Sequence, residues 1–407
     1  MRKKTAVILS CVMLAGSIVT ACGQAGSNKA ETAAAGETAA AETEAPEEQD
    51  QEQGKTQEQE KTQEQEKEAE KAESQETGES DSAARIVLDS EGKEVVIPAK
   101  VERVAPSIGA FAQVTEMLAR GKIAAASTAQ ISEDFKAVFT DYAESNPDNR
   151  DSSSVEDLIA ADVQVVYGPA AAYSEEQLEQ LTQAGIAYVN ISSLSGSEDM
   201  MDSYRLIGEI LGEEERAEAF CSYWQGSIDD CQERTAQLQE EDRARVLRLS
   251  VSGGAYSTVN NTDIFTSIAE EAGAVNVAAE YQPEGGKGAP GGGRNSGLSV
   301  DAEQIIAWNP DEIISMNKAG AEEILADPAL AGVKAVKEGK VYNTPQGLYL
   351  WGVRSGENAM MTPWLGTILY PELFEDVDME QVVMDFYKDW YQTEIDAETA
   401  SEILEGK

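Results

Sequence analysis

The 407-residue sequence contains no histidine. That absence excludes zinc or manganese sites built on histidines, a Ser-His-Asp triad, and histidine as an axial haem ligand, leaving tyrosine or methionine for haem. Recognisable enzyme motifs are also missing. There is no Walker A or dinucleotide fingerprint, and "GGGRNSG" fits neither. The many glutamates form no pair that reads as an acid–base couple. A non-enzyme is expected, with an adhesive or structural surface protein as a lesser alternative, and no cofactor. Basic residues are few, 31 against 75 acids, for a net charge of −44. Such a balance opposes nucleic-acid binding and adsorption to anionic lipid.

Long apolar runs are equally scarce. The first residues read as a secretory leader: Arg2, Lys3 and Lys4, then "TAVILSCVMLAGSIV", then "VTAC" ending at Cys22. Small residues before a cysteine at the cleavage point form the pattern of a bacterial lipoprotein, so residues 1–22 are read as leader and Cys22 as the lipidated residue. No later segment reaches the roughly 18 apolar residues needed to cross a bilayer.

Only four cysteines are present. Cys221 and Cys231 are the two left for the folded part, and both lie in "EEERAEAFCSYWQGSIDDCQERTAQLQ", which reads as one helix. Ten residues of helix separate their Cα atoms by roughly 15 Å, whereas a disulfide needs less than about 7 Å. Two free thiols are expected unless the helix breaks at Gly226.

Residues 23–84 are Ala, Glu, Gln, Thr, Ser and Lys with almost no large apolar side chain, and "KTQEQE" occurs twice in succession. This composition cannot bury enough apolar surface to fold and has no coiled-coil seam. It is read as a disordered acidic tether, with a reach on the order of 50 to 200 Å. The segment carries 18 acids and 5 lysines, so most of the negative charge belongs to the rest of the chain.

From residue 85 short apolar strands alternate with helices. "RIVLDSEGKEVVIP" reads as a hairpin, and "RVAPS", "IAAAST", "VQVVYG" and "IAYVNIS" as strands between helical stretches. From residue 197 to about 241 the chain is helical, with a break near Gly212. The alternation then returns with "ARVLRLSVSG", "TDIFTSIAEEAG", "DAEQIIAWN", "DEIISMN", "GAEEILAD" and "KVYNTPQ", and ends in helices. This order implies α/β architecture with two lobes, each a mostly parallel sheet covered by helices.

The succession of "VEDLIAADVQVVYG", "LTQAGIAYVNI", "IGEILGEEERAEAF", "AEQIIAWNPDEIIS" and "LWGVRSGENAMMTPWLGTILYPELF" resembles the helical-backbone substrate-binding proteins of ABC importers for ferric siderophores, haem, cobalamin and some oxyanions. The resemblance implies two lobes joined by a single long backbone helix, with the helix at residues 198–211 and small closure around ligand. The corresponding parts are an N-terminal lobe at 85–197, a linking segment at 198–215 and a C-terminal lobe at 216–407. It implies docking of a monomer on the permease, and through it the ATPase, by one glutamate per lobe. These fall on Glu175 and Glu303, each in the first helical turn, with Ser174 and Ser299 as expected caps. A first-turn carboxylate is also favoured by the helix dipole alone. Glu176 and Asp301 are neighbouring alternatives.

Ligand contacts are expected from loops at strand ends facing the cleft. The candidates are Ser107, Tyr167 and Tyr173, Tyr256, Arg294 within the glycine-rich "GGKGAPGGGRNSG", and Tyr349, Trp351 and Arg354 of "GLYLWGVRSGE". Tyr349 and Trp351 equally suit the core of the second lobe, and Arg354 a structural pairing with Glu357. Arginines and tyrosines match an anionic, aromatic metal chelate, most simply a ferric siderophore. A small oxyanion such as molybdate or tungstate would instead use backbone N–H and hydroxyl donors, with Ser107, Ser252 and Ser296 available. The positions at which cobalamin-binding relatives carry aromatics align with Pro169 and Gly297, which counts against a corrinoid.

Overall fold

The computed structural model describes residues 84–192, 194–283 and 297–406. The leader, the tether and Arg294 lie outside the described residues.

The first lobe opens with the antiparallel hairpin β1 (Arg85–Leu88) and β2 (Glu94–Ile97), in which Ile86 faces Val96. β3 (Val104–Pro106) leads into α1 (Gly109–Leu118). Three one- to two-turn helices follow, α2 (Glu133–Val138), α3 (Thr140–Ser145) and α4 (Val155–Ala160). Then come β4 (Val165–Gly168), α5 (Glu175–Gln183) and β5 (Ala187–Asn190). β3, β4 and β5 form a parallel sheet in that order. β4 is buried at every residue, as expected for a parallel strand covered on both faces. "IAAAST" makes only isolated bridges, Val104 to Ile123 and Ala126 to Asp151. Its alanines are buried, but they lack the branched side chains that favour an extended strand.

The chain then passes between the lobes on two helices. α6 (Ser197–Leu211) starts where Ser197 Oγ donates to Glu271 of the second lobe at 3.0 Å. It ends against the first, where Arg85 donates to the Ile210 carbonyl at 2.7 Å and Lys122 to that of Leu211 at 2.8 Å. Gly212, at φ 73°, caps it in the left-handed conformation. α7 (Glu214–Thr235) runs back from Arg216, which donates to the Met117 carbonyl at 2.8 Å, to Arg234, which pairs with Asp376. The expected backbone helix is thus α6, and α7 is a second strut beside it. Helix α7 continues through Gly226, and Cys221 and Cys231 are both buried and free.

The second lobe consists of β6 (Arg245–Ser252), β7 (Ala255–Thr258), α8 (Ile264–Glu271), β8 (Val275–Asn276), β9 (Leu298–Val300), α9 (Ala302–Trp308), β10 (Glu312–Ser315), α10 (Lys318–Ala326), α11 (Lys334–Glu338) and β11 (Val341–Asn343). Its sheet runs β11-β10-β6-β7-β9, with β8 also beside β6. β11, β10, β6 and β8 are parallel, and β7 and β9 antiparallel. The stretch carrying Tyr256, expected as a loop facing the ligand, is therefore partly a hairpin extending the sheet. Helices α12 (Met361–Leu369), α13 (Met379–Trp390) and α14 (Ala397–Leu404) close the chain. The C-terminal helices pack back onto first-lobe residues as well: Tyr391 meets the Phe139 ring at 5.2 Å. Among the described residues no helix is long and apolar enough to cross a membrane.

Candidate functional site

A cleft of about 590 Å³ opens between the lobes at the strand ends. The first lobe contributes Ile108, Ala110 and Gln130, and the second contributes Arg248, Val259, Asn260, Thr262, Asp263, Leu298, Gln346, Leu348, Tyr349, Leu350, Val353 and Arg354 among others. On the first-lobe side the wall is the start of α1, which has no acid in its first turn and no side-chain cap. Gln130 Oε1 accepts the Gly109 N–H, and a Cβ at Gly109 would lie 2.7 Å from Gln130 Cβ, so glycine is required for that approach.

Among the described residues, two arginines set the electrostatics. Arg248 projects from β6 and is 8 % exposed. Its Nη1 lies 2.9 Å from Asp263 Oδ1 and donates to the Gly352 carbonyl at 3.0 Å. Asp263 is also the N-cap of α8, accepting the Phe265 N–H at 3.0 Å. One cleft arginine is thus neutralised. Arg354 lines the same cleft, is partly exposed, and makes no salt bridge among the described residues. Glu357 is not its partner. That carboxylate accepts from the backbone N–H groups of Leu348 and Tyr349 and from the hydroxyls of Tyr387 and Tyr391. Burial pushes the Glu357 carboxyl up to about 7 against the pull of those four donors. Burial likewise raises the Tyr349 hydroxyl, with Arg354 acting in the opposite direction.

Of the residues expected at the ligand, Tyr349 and Arg354 line the cleft. Tyr167 does not: it is fully buried on β4, its hydroxyl against Thr115 Oγ1, because every side chain of that central strand is enclosed. Tyr173 is also in the first-lobe core, donating to the Ser152 carbonyl at 2.7 Å and meeting the Tyr188 ring at 5.8 Å. Trp351 is wholly buried in the main core. Tyr256 lies on β7 and donates to Asp327 at the end of α10, outside the cleft lining. Ser107 follows β3 with its Oγ enclosed against Gly168, and it is the next residue, Ile108, that reaches the cleft. Arg294 and Ser296 lie outside the described residues.

Arg248, Gln130 and Gln346 were not anticipated, whereas Asn260 and Asp263 close the 252–263 stretch expected at the ligand, in which only Tyr256 is singled out. Arg248 had a signal: one cation inside the apolar run "RVLRLSVS" must find a partner if the strand is buried. Glu175 and Glu303 are both exposed in first helical turns. Ser174 caps α5 in a capping box with Gln177. For α9 the cap is Asp301, accepting the Gln304 N–H at 2.8 Å, whereas Ser299 belongs to β9. Among the described residues no group of three or more acids or cysteines is placed to hold a metal ion.

The family model described as periplasmic binding protein matches residues 112–348, and the chain belongs to that family. The chain is 24% identical over 352 residues, 78% of this chain and 94% of the other, to the molybdate-binding protein MolA of Haemophilus influenzae. A periplasmic solute-binding protein from Veillonella parvula superposes with a TM-score of 0.62 at 22% identity, over 79% of this chain and 97% of that one. Helicobacter pylori CeuE with Ni(II) bound gives a TM-score of 0.60 at 19% identity, over 78% and 99%. These structures share the two-lobed fold described above. The chain is therefore an extracytoplasmic, non-enzymatic solute-binding component of an ABC importer, a role that implies a permease and a small ligand as partners.

Proposed function

We propose that this protein is a lipid-anchored receptor, held at the membrane through Cys22, that delivers an anionic metal chelate of the siderophore type to its importer. The observation that carries this reading is the charge of the cleft. In a chain of net charge −44, the cleft as formed by the described residues presents Arg354 with no ion-pair partner among them, while the one acid among its described lining residues, Asp263, is already engaged by Arg248. Apolar side chains (Ile108, Val259, Leu298, Leu348) and Tyr349 line the rest. A volume near 590 Å³ falls within the range of about 300–1,000 Å³ usual for organic ligands. An organic-coated anion complements both the cation and the apolar wall.

A small oxyanion is the second reading. It is favoured by the relative that binds molybdate and by the starts of α1 and α8, which bring backbone N–H groups to the cleft from both lobes. Delivery would use Glu175 and Glu303 as the permease contacts, one exposed carboxylate on each lobe. Calorimetric titration with ferric tris-catecholate and ferric hydroxycarboxylate chelates, molybdate, tungstate, haem and a corrinoid tests the reading. Binding of molybdate or tungstate alone would replace the chelate by the oxyanion, and tight binding of a cationic or neutral ligand alone would overturn both.

A further inference from the structure

Behind the loop that brings Leu348 and Tyr349 to the cleft lies a carboxylate with no cationic partner among the described residues. Glu357 is completely buried. Its Oε1 accepts from Leu348 N at 3.0 Å, Tyr387 Oη at 3.2 Å and Tyr391 Oη at 3.1 Å, and its Oε2 accepts from Tyr349 N at 3.2 Å. A Cβ at Gly347 would lie 2.5 Å from Glu357 Oε1 and 2.6 Å from Tyr387 Oη, so only glycine lets the backbone approach the carboxylate this closely. Beyond it, Tyr391 Oη accepts from Gln113 Nε2, and Gln113 Oε1 accepts the Gly356 N–H at 3.1 Å. Gln113 belongs to α1, whose residue Ala110 lines the facing wall of the cleft.

Burying a carboxylate without a cation is costly, and an apolar side chain of similar volume would fill the same space without desolvation. What the carboxylate supplies is directional: two acceptor oxygens that fix two consecutive backbone N–H groups. We propose that Glu357 is a positioning residue for the ligand site, holding the 347–349 loop in shape and registering it against α1 through Tyr391 and Gln113. It touches no ligand itself. The proposal deepens the cleft reading above and rests on it for its consequence in affinity.

The test uses the full chain in two variants that attack the same contact from opposite sides. Glu357→Gln leaves one acceptor oxygen for four donors, so at least one loop N–H loses its partner. Gly347→Ala drives a methyl into the carboxylate. Amide hydrogen exchange at one or both of Leu348 and Tyr349 is expected to quicken tenfold or more in each variant, with β6 and α7 unchanged. Affinity for the probes, a ferric tris-catecholate and molybdate, is expected to fall about tenfold. Wild-type exchange at both amides in a folded variant overturns the proposal; should Glu357→Gln not fold, Gly347→Ala decides. Arg354→Ala separates the two ideas. If it weakens probe binding and the loop variants do not, Glu357 has no positioning role and the cleft reading stands. If Arg354→Ala binds as wild type, or the wild type binds neither probe, the cleft reading fails and the exchange measurement alone decides on Glu357.

Discussion

Arg248 and Asp263 form a 2.9 Å ion pair in the cleft wall, with the arginine side chain 9 % and the aspartate 27 % exposed. This pair makes the two cleft arginines unequal. Arg248→Ala strips the buried partner from Asp263 and should cost roughly 2–4 kcal/mol of stability. Arg354→Ala breaks no salt bridge among the described residues and should leave the melting temperature nearly unchanged. It should weaken binding of an anionic ligand by about 2 kcal/mol, roughly thirtyfold. Melting and titration of both variants check this, and unaltered affinity in Arg354→Ala would remove it from the site.

Trp351 should behave in the opposite way. It is fully buried in the main core, three residues from Arg354. Trp351→Ala should lower stability by about 3–5 kcal/mol, the usual cost of emptying so large a site. The fraction still folded should bind normally. A variant with wild-type melting and lost binding would show that the ring serves the ligand after all.

A third expectation concerns pH. Glu116 in α1 is completely enclosed, with the Gly121 N–H on Oε2 at 3.0 Å and no partner for Oε1 among the described residues. Burial raises its pKa from 4.5 to about 7, against the Gly121 N–H and Arg120, with Asp141 adding a little. The folded state therefore holds this proton more tightly than the unfolded state. The stability it lends is fully present below pH 4.5 and is lost as pH rises through about 7. Glu116→Gln has no such proton, so its stability relative to wild type should improve by about 3 kcal/mol across that window. Urea denaturation of both proteins at pH 4.5 and 7.5 measures it; a difference independent of pH would refute the expectation.

Glu175 and Glu303 can be tested together. Both are exposed, and neither belongs to the cleft lining. Charge reversal of both to lysine should abolish uptake by cells while ligand affinity and melting stay as in wild type. Retained uptake would leave these residues as ordinary first-turn carboxylates favoured by the helix dipole.

The lobes were legible because periodicity and turn residues report directly on local structure. "VQVVYG" became β4 and "SEEQLEQLTQ" became α5 with its Ser174 cap as read. What failed was the direction of side chains. Tyr167 and Tyr173 looked like cleft aromatics because they flank a loop, but a central parallel strand is covered on both faces, and Tyr173 finds its partner in Ser152. Arg248 and Asp263 are 15 positions apart, and only the fold brings them together. The cap of α9 moved from Ser299 to Asp301 because β7 recruits Ser299 into the sheet, a pairing no local signal announced.

The doubled strut has a consequence for traffic at the transporter. α6 and α7 press together so closely that a methyl on Gly208 would lie 2.4 Å from that of Ala217, and both helices are anchored at each lobe. A frame anchored in this way should give empty and loaded forms nearly the same outer shape. A permease can favour one form only to the extent that its contacts differ between them. Empty receptors would then occupy the gate almost as well as loaded ones. Beyond a certain ratio of receptor to permease, making more receptor would slow import when solute is scarce, so the number of receptors per gate becomes a quantity the cell must hold in balance.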